Sequence, residues 1–193
     1  MHPIRAYISN YVTLSESDWA TIETCWIKVE YRKGDLILQQ GERCRKLYFL
    51  ENGFLRYFVH KPNGEEATKF FTEAPYCFTS QQSFTRDVPA KENIEVLESA
   101  VVWEMRQSDA FGLLRLPNWS EFVRKLVQEV QYYTEEILQD LQQLTAEERY
   151  TRMLEDQDVI LQKSPLKHVA SYLGIAPQSL SRIRKNFQIN NRS

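Results

Sequence analysis

The sequence predicts an α+β chain in three parts: an N-terminal double-stranded β-roll of the jelly-roll or cupin-like kind, one long helix, and a small C-terminal helix-turn-helix domain. Three observations predict it. Between Val29 and Met105 short apolar alternations are punctuated by glycines at strand spacing. From Trp119 onward apolar residues recur at helical steps, and His168 to Lys185 sets small and apolar residues where a helix-turn-helix needs them. The parts divide at 1–117, 118–144 and 145–193.

Ser15-Glu16-Ser17-Asp18 ahead of Trp19, Ile22 and Trp26 predicts a capped amphipathic helix of about two to three turns. Strands are then expected at Leu36-Ile37-Leu38, Lys46 to Leu50, Phe54 to Val59, Thr68 to Phe71, Ile94 to Leu97 and Val101 to Met105. Gly34, Gly41, Gly53 and the Pro62-Asn63-Gly64 turn separate them at intervals typical of a β-roll.

In the third quarter of the chain Phe122, Leu126, Val130, Tyr133, Ile137, Leu141 and Leu144 follow one another at steps of three and four. With Lys125, Glu129, Glu135, Glu136 and Asp140 beside them they form a heptad-like seam, which predicts a homodimer through helix 118–144. A helix lying on its own roll is the other reading, and the two are compatible. Thr145-Ala146-Glu147-Glu148 is a capping box that opens a new helix, which makes Thr145 the expected hinge.

Within HVASYLGIAPQSLSRIRK, Ala170 allows close approach of two helices, Gly174 can take the left-handed backbone that ends the first, and Leu180 begins the buried stripe of the second. Val169, Leu173, Ile175 and Ile183 fill the other inward positions. On the second helix Leu180, Ile183 and Phe187 face inward, so Gln178, Arg182 and Lys185 share the opposite stripe with Ser179 and Ser181 beside it. The expected partner is double-stranded DNA: Arg182 suits guanine O6 and N7, Gln178 suits adenine and other mixed edges, and Ser179, Ser181 and Lys185 suit the backbone. Pro177 fits a first helical turn, whereas Ala176 supplies no cap, a loss of about 1 kcal/mol against Ser or Thr. The few residues between the helix ending near Leu154 and the motif, and after Phe187, leave little room for a wing hairpin.

Charge supports that partner. From Pro165 onward there are five cations and no carboxylate, while the preceding body carries 19 cations against 26 acids, a net of −7. At 193 residues and 42% apolar content the chain holds an ordinary domain and a smaller one. No run of about eighteen apolar residues is present, and the N-terminus lacks a secretory layout, so a cytoplasmic protein without membrane contact is expected. Cys25, Cys44 and Cys77 are odd in number and widely spaced, which predicts buried thiols rather than disulfides or zinc. His2, His60 and His168 are too few and scattered for the metal of a cupin-like enzyme, and no GxSxG, Walker or HExxH motif is present. An enzyme is therefore not expected, nor a cofactor. The competing reading is a ligand- or protein-binding module that no longer reads DNA.

Glycine-punctuated roll, seam helix and helix-turn-helix, in this order, resemble the Crp/Fnr family of bacterial transcription regulators. In the roll the resemblance rests on Lys33-Gly34-Asp35, Gly41-Glu42 and Leu47-Tyr48-Phe49-Leu50 running to Gly53; in the C-terminal part it rests on Leu173-Gly174 and Ser179-Leu180-Ser181-Arg182-Ile183. It implies a cyclic nucleotide-binding-like roll, a dimer reading an inverted repeat, and RNA polymerase as a further candidate partner. Arg182 matches the family's base-reading arginine, while Gln178 replaces a frequent glutamate. The resemblance places an effector pocket among Phe71, Tyr76, Phe78 and Gln82, closed by Tyr133 and Thr134. Members that bind cyclic AMP hold its phosphate with a Gly-Glu pair and an Arg-Ser pair. Here Tyr76 to Gln82 has neither glycine nor acid, and the later position reads Val88-Pro89-Ala90-Lys91, so the effector is expected not to be cyclic AMP, or to be absent. Cys25 alone near the N-terminus cannot assemble an iron–sulfur cluster, and of the candidate haem ligands His2, His60 and Cys77, His60 sits on a polar hairpin where histidines are usually solvated.

Overall fold

The computed structural model describes residues 1–156 and 158–190. Two short helices, α1 (Pro3–Ser9) and α2 (Glu16–Glu23), precede β1 (Trp26–Tyr31), β2 (Leu36–Leu38), β3 (Lys46–His60), β4 (Glu66–Glu73) and β5 (Tyr76–Phe78). Helix α3 (Gln81–Arg86) leads to β6 (Asn93–Arg106), and α4 (Gln107–Gly112) leads through a 3-10 turn to the long α5 (Pro117–Gln143). The C-terminal unit holds α6 (Ala146–Asp156), α7 (Asp158–Lys163), α8 (Leu166–Leu173) and α9 (Pro177–Asn190). No helix among the described residues is long and apolar enough to cross a membrane.

Ser15 caps α2 as its sequence predicts, accepting from the Asp18 N–H at 3.0 Å. Trp26 is not on that helix but opens β1. Helix α1, unforeseen, carries Pro3 in its first turn and buries Ile4, Tyr7 and Ile8.

Two long strands run through the middle of the roll where four shorter ones are expected. Lys46–Leu50 and Phe54–Val59 join as β3, and the pieces at 94–97 and 101–105 join as β6. The two pair antiparallel from Lys46↔Arg106 to Phe58↔Asn93, with register shifts around Gly53. Gly53 marks a bulge, not a turn. Its φ is +121°, and a Cβ there would lie 2.6 Å from Ala100 Cβ and 2.8 Å from Ala100 Cα, so glycine alone permits this approach of β3 to β6. The sheet order is β1-β6-β3-β4, with β2 added on β6 and β5 on β3.

From Phe54 onward, alternation along β3 sorts its side chains between two cores. Leu55 and Tyr57 point into the roll with Tyr48, Leu50, Phe78, Ile94, Val96 and Val102. Phe54 points outward with Phe71 and Leu97 to meet Tyr150, Met153, Ile160, Val169, Ala170, Leu173 and Leu180 of the C-terminal unit. A third core joins α1 and α2 to the start of α5 through Ile4, Ile8, Trp19, Ile22, Trp119 and Phe122.

The expected seam on α5 is divided. Phe122 and Leu126 are buried on the chain's own roll, Val130, Ile137 and Leu144 are half-buried, and Tyr133 and Leu141 are exposed, as are Val127, Tyr132 and Leu138 outside the expected seam. The first turns of α5 thus lie on the chain's own roll, and its later turns leave apolar side chains exposed.

Candidate nucleic-acid interface and its junction with the roll

Gly174 ends α8 in the left-handed region, at φ 71° and ψ 26°. The Gly174 N–H donates to Ser171 O at 3.1 Å and the Ile175 N–H to Ala170 O at 3.0 Å, a closure that satisfies the last carbonyls and turns the chain toward α9. Val169, Ala170 and Leu180 are fully buried where the helices meet, and Leu173 nearly so; Ile175 and Ile183 pack half-buried against them. Phe187 faces inward too, its ring edge-on to Tyr150 at 6.3 Å.

With those residues inside, Gln178, Ser181, Arg182 and Lys185 lie exposed on α9, and Ser179 is half-buried beside them. Ser181 Oγ donates to Pro177 O at 3.0 Å, which leaves its lone pairs to meet a donor. Ala176 stands before α9 with only its carbonyl engaged, by the Leu180 N–H at 3.1 Å. The capping box ahead of α6 is formed: Thr145 N–H donates to Glu148 at 2.7 Å, and the Glu148 N–H donates to Thr145 Oγ1 at 3.2 Å. Helix α7 occupies most of the stretch expected as a linker, and among the described residues no strand follows β6.

The junction between this unit and the roll is not legible from sequence spacing. Helix α8 lies against β4, an edge strand of the sheet. Ser171 Oγ accepts from the Thr68 N–H at 2.9 Å and donates to Glu66 O at 3.1 Å, covering part of that edge. Tyr172 meets Phe71 at 5.6 Å, and Lys163 reaches Glu73 at 3.3 Å and Glu98 at 2.9 Å. At the centre is Arg56, fully buried on β3, which pairs with Glu66, lies 3.5 Å from Glu95 and stacks 4.0 Å over Phe58. It also donates to the ring of His168 on α8, with Nη1 2.7 Å from Nε2. Burial, then the charges of Arg56 and Lys167, pushes the His168 pKa down to about 4, so the ring is the neutral acceptor. Burial works to raise the Glu66 carboxyl, but its hydrogen bond and charge contact with Arg56 hold it below the usual range. The sequence signal for this junction is an arginine inside the apolar run Phe54-Leu55-Arg56-Tyr57-Phe58.

The residues expected to form an effector pocket fall on both sides of the sheet. Phe78 is inside the roll, stacked on Tyr48 at 5.0 Å, and Tyr57 stacks on Phe70 at 3.9 Å beside it. Phe71 and Tyr133 lie outside and share one cavity. Tyr76 is half-buried and Gln82 is exposed on α3. The Thr134 hydroxyl donates to Val130 O at 2.7 Å on the exposed surface of α5. Cys44 and Cys77 are buried thiols as expected, but Cys25 is only half-buried. Among the described residues no group of three or more His, Cys, Asp or Glu is placed to hold a metal.

Comparison with known proteins agrees with this architecture. Residues 28–115 match the family model of the cyclic nucleotide-binding domain. No curated protein matches the chain in sequence. Among solved structures, FixK2 of Bradyrhizobium japonicum superposes with a TM-score of 0.75 at 16% identity, covering 86% of each chain. The c-di-GMP responsive global regulator CLP of Xanthomonas campestris gives 0.72 at 12% identity, covering 92% of this chain and 93% of its own. A protein from Eubacterium rectale described as a transcriptional regulator of the crp/fnr family gives 0.72 at 16%, covering 92% of this chain and 85% of its own.

Proposed function

Because residues 28–115 match the cyclic nucleotide-binding domain and most of the chain superposes on regulators of the Crp/Fnr kind, we propose that it is a dimeric transcription regulator that reads DNA with α9. The observation that carries the reading is the exposed stripe of Gln178, Ser181, Arg182 and Lys185 on a helix held by the Gly174 turn. In this reading Arg182 and Gln178 address base edges in the major groove, and Ser179, Ser181 and Lys185 set the register on the phosphates. Residues 1–117 form the sensor, 118–144 the dimerisation helix and 145–193 the DNA-binding domain. Two-fold pairing through α5 implies an inverted repeat with half-sites about one helical turn apart. The regulator acts in the cytoplasm, with RNA polymerase as its further partner. The self-stacked aromatics inside the roll and the glycine-free, acid-free stretch from Tyr76 to Gln82 favour an effector other than cyclic AMP, or none.

Selection of randomised duplex DNA by the purified protein, at low and moderate salt, tests this. An inverted repeat is expected to be enriched. Arg182→Ala should relax selection at one base position of each half-site, with a loss of about 1–3 kcal/mol there, whereas Lys185→Ala should weaken all sequences alike. Weak, sequence-blind binding that disappears with salt would instead favour a module that no longer reads DNA.

A further inference from the structure

The seat of the C-terminal unit on the roll combines a small apolar contact with a polar one that depends on a single proton. Phe54, Phe71 and Leu97 are the roll's share of the common core, whereas the C-terminal unit brings a packed set of its own in Tyr150, Met153, Val169, Leu173 and Leu180. Roll and unit therefore each keep a core when parted. Their covalent joint is short: Leu144, in extended backbone at φ −107° and ψ 140°, and Thr145 alone separate α5 from α6. The Arg152–Asp140 pair that crosses this joint is largely solvent-exposed and holds weakly.

The polar contact is exacting. The Arg56 guanidinium can only donate, and both ring nitrogens of His168 lie within hydrogen-bond reach of its Nη1, with Nε2 at 2.7 Å. The bond exists only while the ring has a bare nitrogen to accept it. An imidazolium carries N–H on both nitrogens, so protonation sets donor against donor and cation against cation at a buried position. The charged groups around the ring are Arg56 of β3, Glu66 of β4, Lys167 of its own helix and Glu95 of β6, the last 3.5 Å from Arg56. Glu66 favours a charged ring, but Arg56 Nη2 already engages it, and the two cations oppose it. Lys163 of α7 is held away by Glu73 and Glu98. Docking also leaves Arg56 Nε and Thr68 Oγ1 buried without a hydrogen-bond partner among the described residues, a cost that release into water removes.

We propose that the seat of α8 on β4 is an acid-released latch: protonation of His168 frees the C-terminal unit as a folded body that swings about Leu144 and Thr145 while the roll stays intact. On release Arg56 keeps Glu66 and Glu95, and Ser171 gives up the Thr68 N–H and the Glu66 carbonyl to water. That this also moves α9 relative to a duplex rests on the regulator reading; the latch itself does not.

Native-state amide hydrogen exchange, followed by NMR on the full chain without DNA at pH 7.5 and 5.5 and in low urea, tests the latch. The Thr68 N–H, which donates to Ser171 Oγ across the junction, reports release, and the amides of the β3–β6 ladder report unfolding of the roll. With intrinsic rates divided out, Thr68 is expected to be less protected than the ladder and less sensitive to urea. Its protection should fall about three- to tenfold between the two pH values, tenfold being the limit for a ring that titrates at about 4 when docked and 6.5 when free. His168→Gln, which keeps an acceptor and takes up no proton, should remove most of that fall, with folding checked on the ladder amides. The ring signals of His168 in the unaltered protein give a second reading and should titrate well below 6.5. Thr68 exchanging with the protection and urea slope of the ladder, a protection indifferent to acid, an unchanged fall in His168→Gln, or a ring titrating near 6.5 would each overturn the proposal. A failed latch leaves the DNA selection above untouched, and a failed selection leaves the latch.

Discussion

His168 sits where the roll and the C-terminal unit meet, and its protonation state is set by that contact. Docked, its ring accepts a hydrogen bond from Arg56 and faces Arg56, Glu66 and Lys167, with the first and last opposing its charge and Glu66 favouring it. Burial and the two cations win, lowering its pKa to about 4 from an ordinary 6.5. A lowered pKa means that the unfolded chain takes up the proton first. The stabilisation is complete above pH 6.5 and is drawn down as pH falls toward 4. Solvent screening at the partly open edge of the junction reduces the full linkage to about 1–2 kcal/mol. Urea unfolding between pH 7.5 and 5 should show stability decreasing with acid, and His168→Gln should flatten that slope. Glu66, whose carboxyl is lowered below an ordinary 4.5, contributes only further into acid, while burial lowers the pKa of His2 as well, so the part of the upper slope that His168→Gln removes is the share of His168 and the rest stays in both proteins. Parallel slopes for the two proteins would disprove the assignment.

At the level of elements, what sequence reveals and what it hides divides by the range of the interaction. Ser15, the Thr145–Glu148 box and the Gly174 turn are local: donor and acceptor lie within a few residues, so spacing alone announces them. The helix-turn-helix core is legible for the same reason. Gly53 reads as a separator because a glycine between apolar runs usually marks a turn, yet the residue that demands glycine is Ala100, far along the chain on β6. Arg56 and His168 are 112 residues apart and give no periodic signal at all. Phe71 and Phe78, expected in one pocket, belong to opposite faces because β4 and β5 present them to different cores. Gly53→Ala tests the bulge directly. Its Cβ would meet both the side chain and the backbone of Ala100, and its φ of +121° is strained for any L residue, so a loss of about 2–4 kcal/mol in urea unfolding is expected. Ala100→Gly should recover only part of this, since the clash with the backbone of residue 100 at 2.8 Å and the strain both persist. A variant as stable as the parent would mean that β3 and β6 do not cross this closely.

For the molecule as a whole, the C-terminal unit is held to the outer face of the roll by α8 while the polar stripe of α9 stays exposed. Where the two copies of α9 stand in a dimer then depends on two contacts: the docking of α8 on β4, and the pairing of α5 with its copy. The first half of α5 is committed to its own roll through Trp119, Phe122 and Leu126, which fixes the helix direction relative to the roll. Beyond Leu126 it leaves Val127, Leu138 and Leu141 about half exposed, an apolar surface that a monomer would leave in water. Pairing of two such helices removes that surface from water and also brings two α9 helices to one duplex, where linked binding gains over single binding by effective concentration. Leu138→Glu/Leu141→Glu should therefore turn a dimer into a folded monomer in sedimentation equilibrium, with the helical signal retained. The same variant should lose at least about 100-fold in affinity for an inverted repeat while keeping its weak affinity for a single half-site. If it remains dimeric, α5 is not the seam, and the exposed leucines must serve another surface.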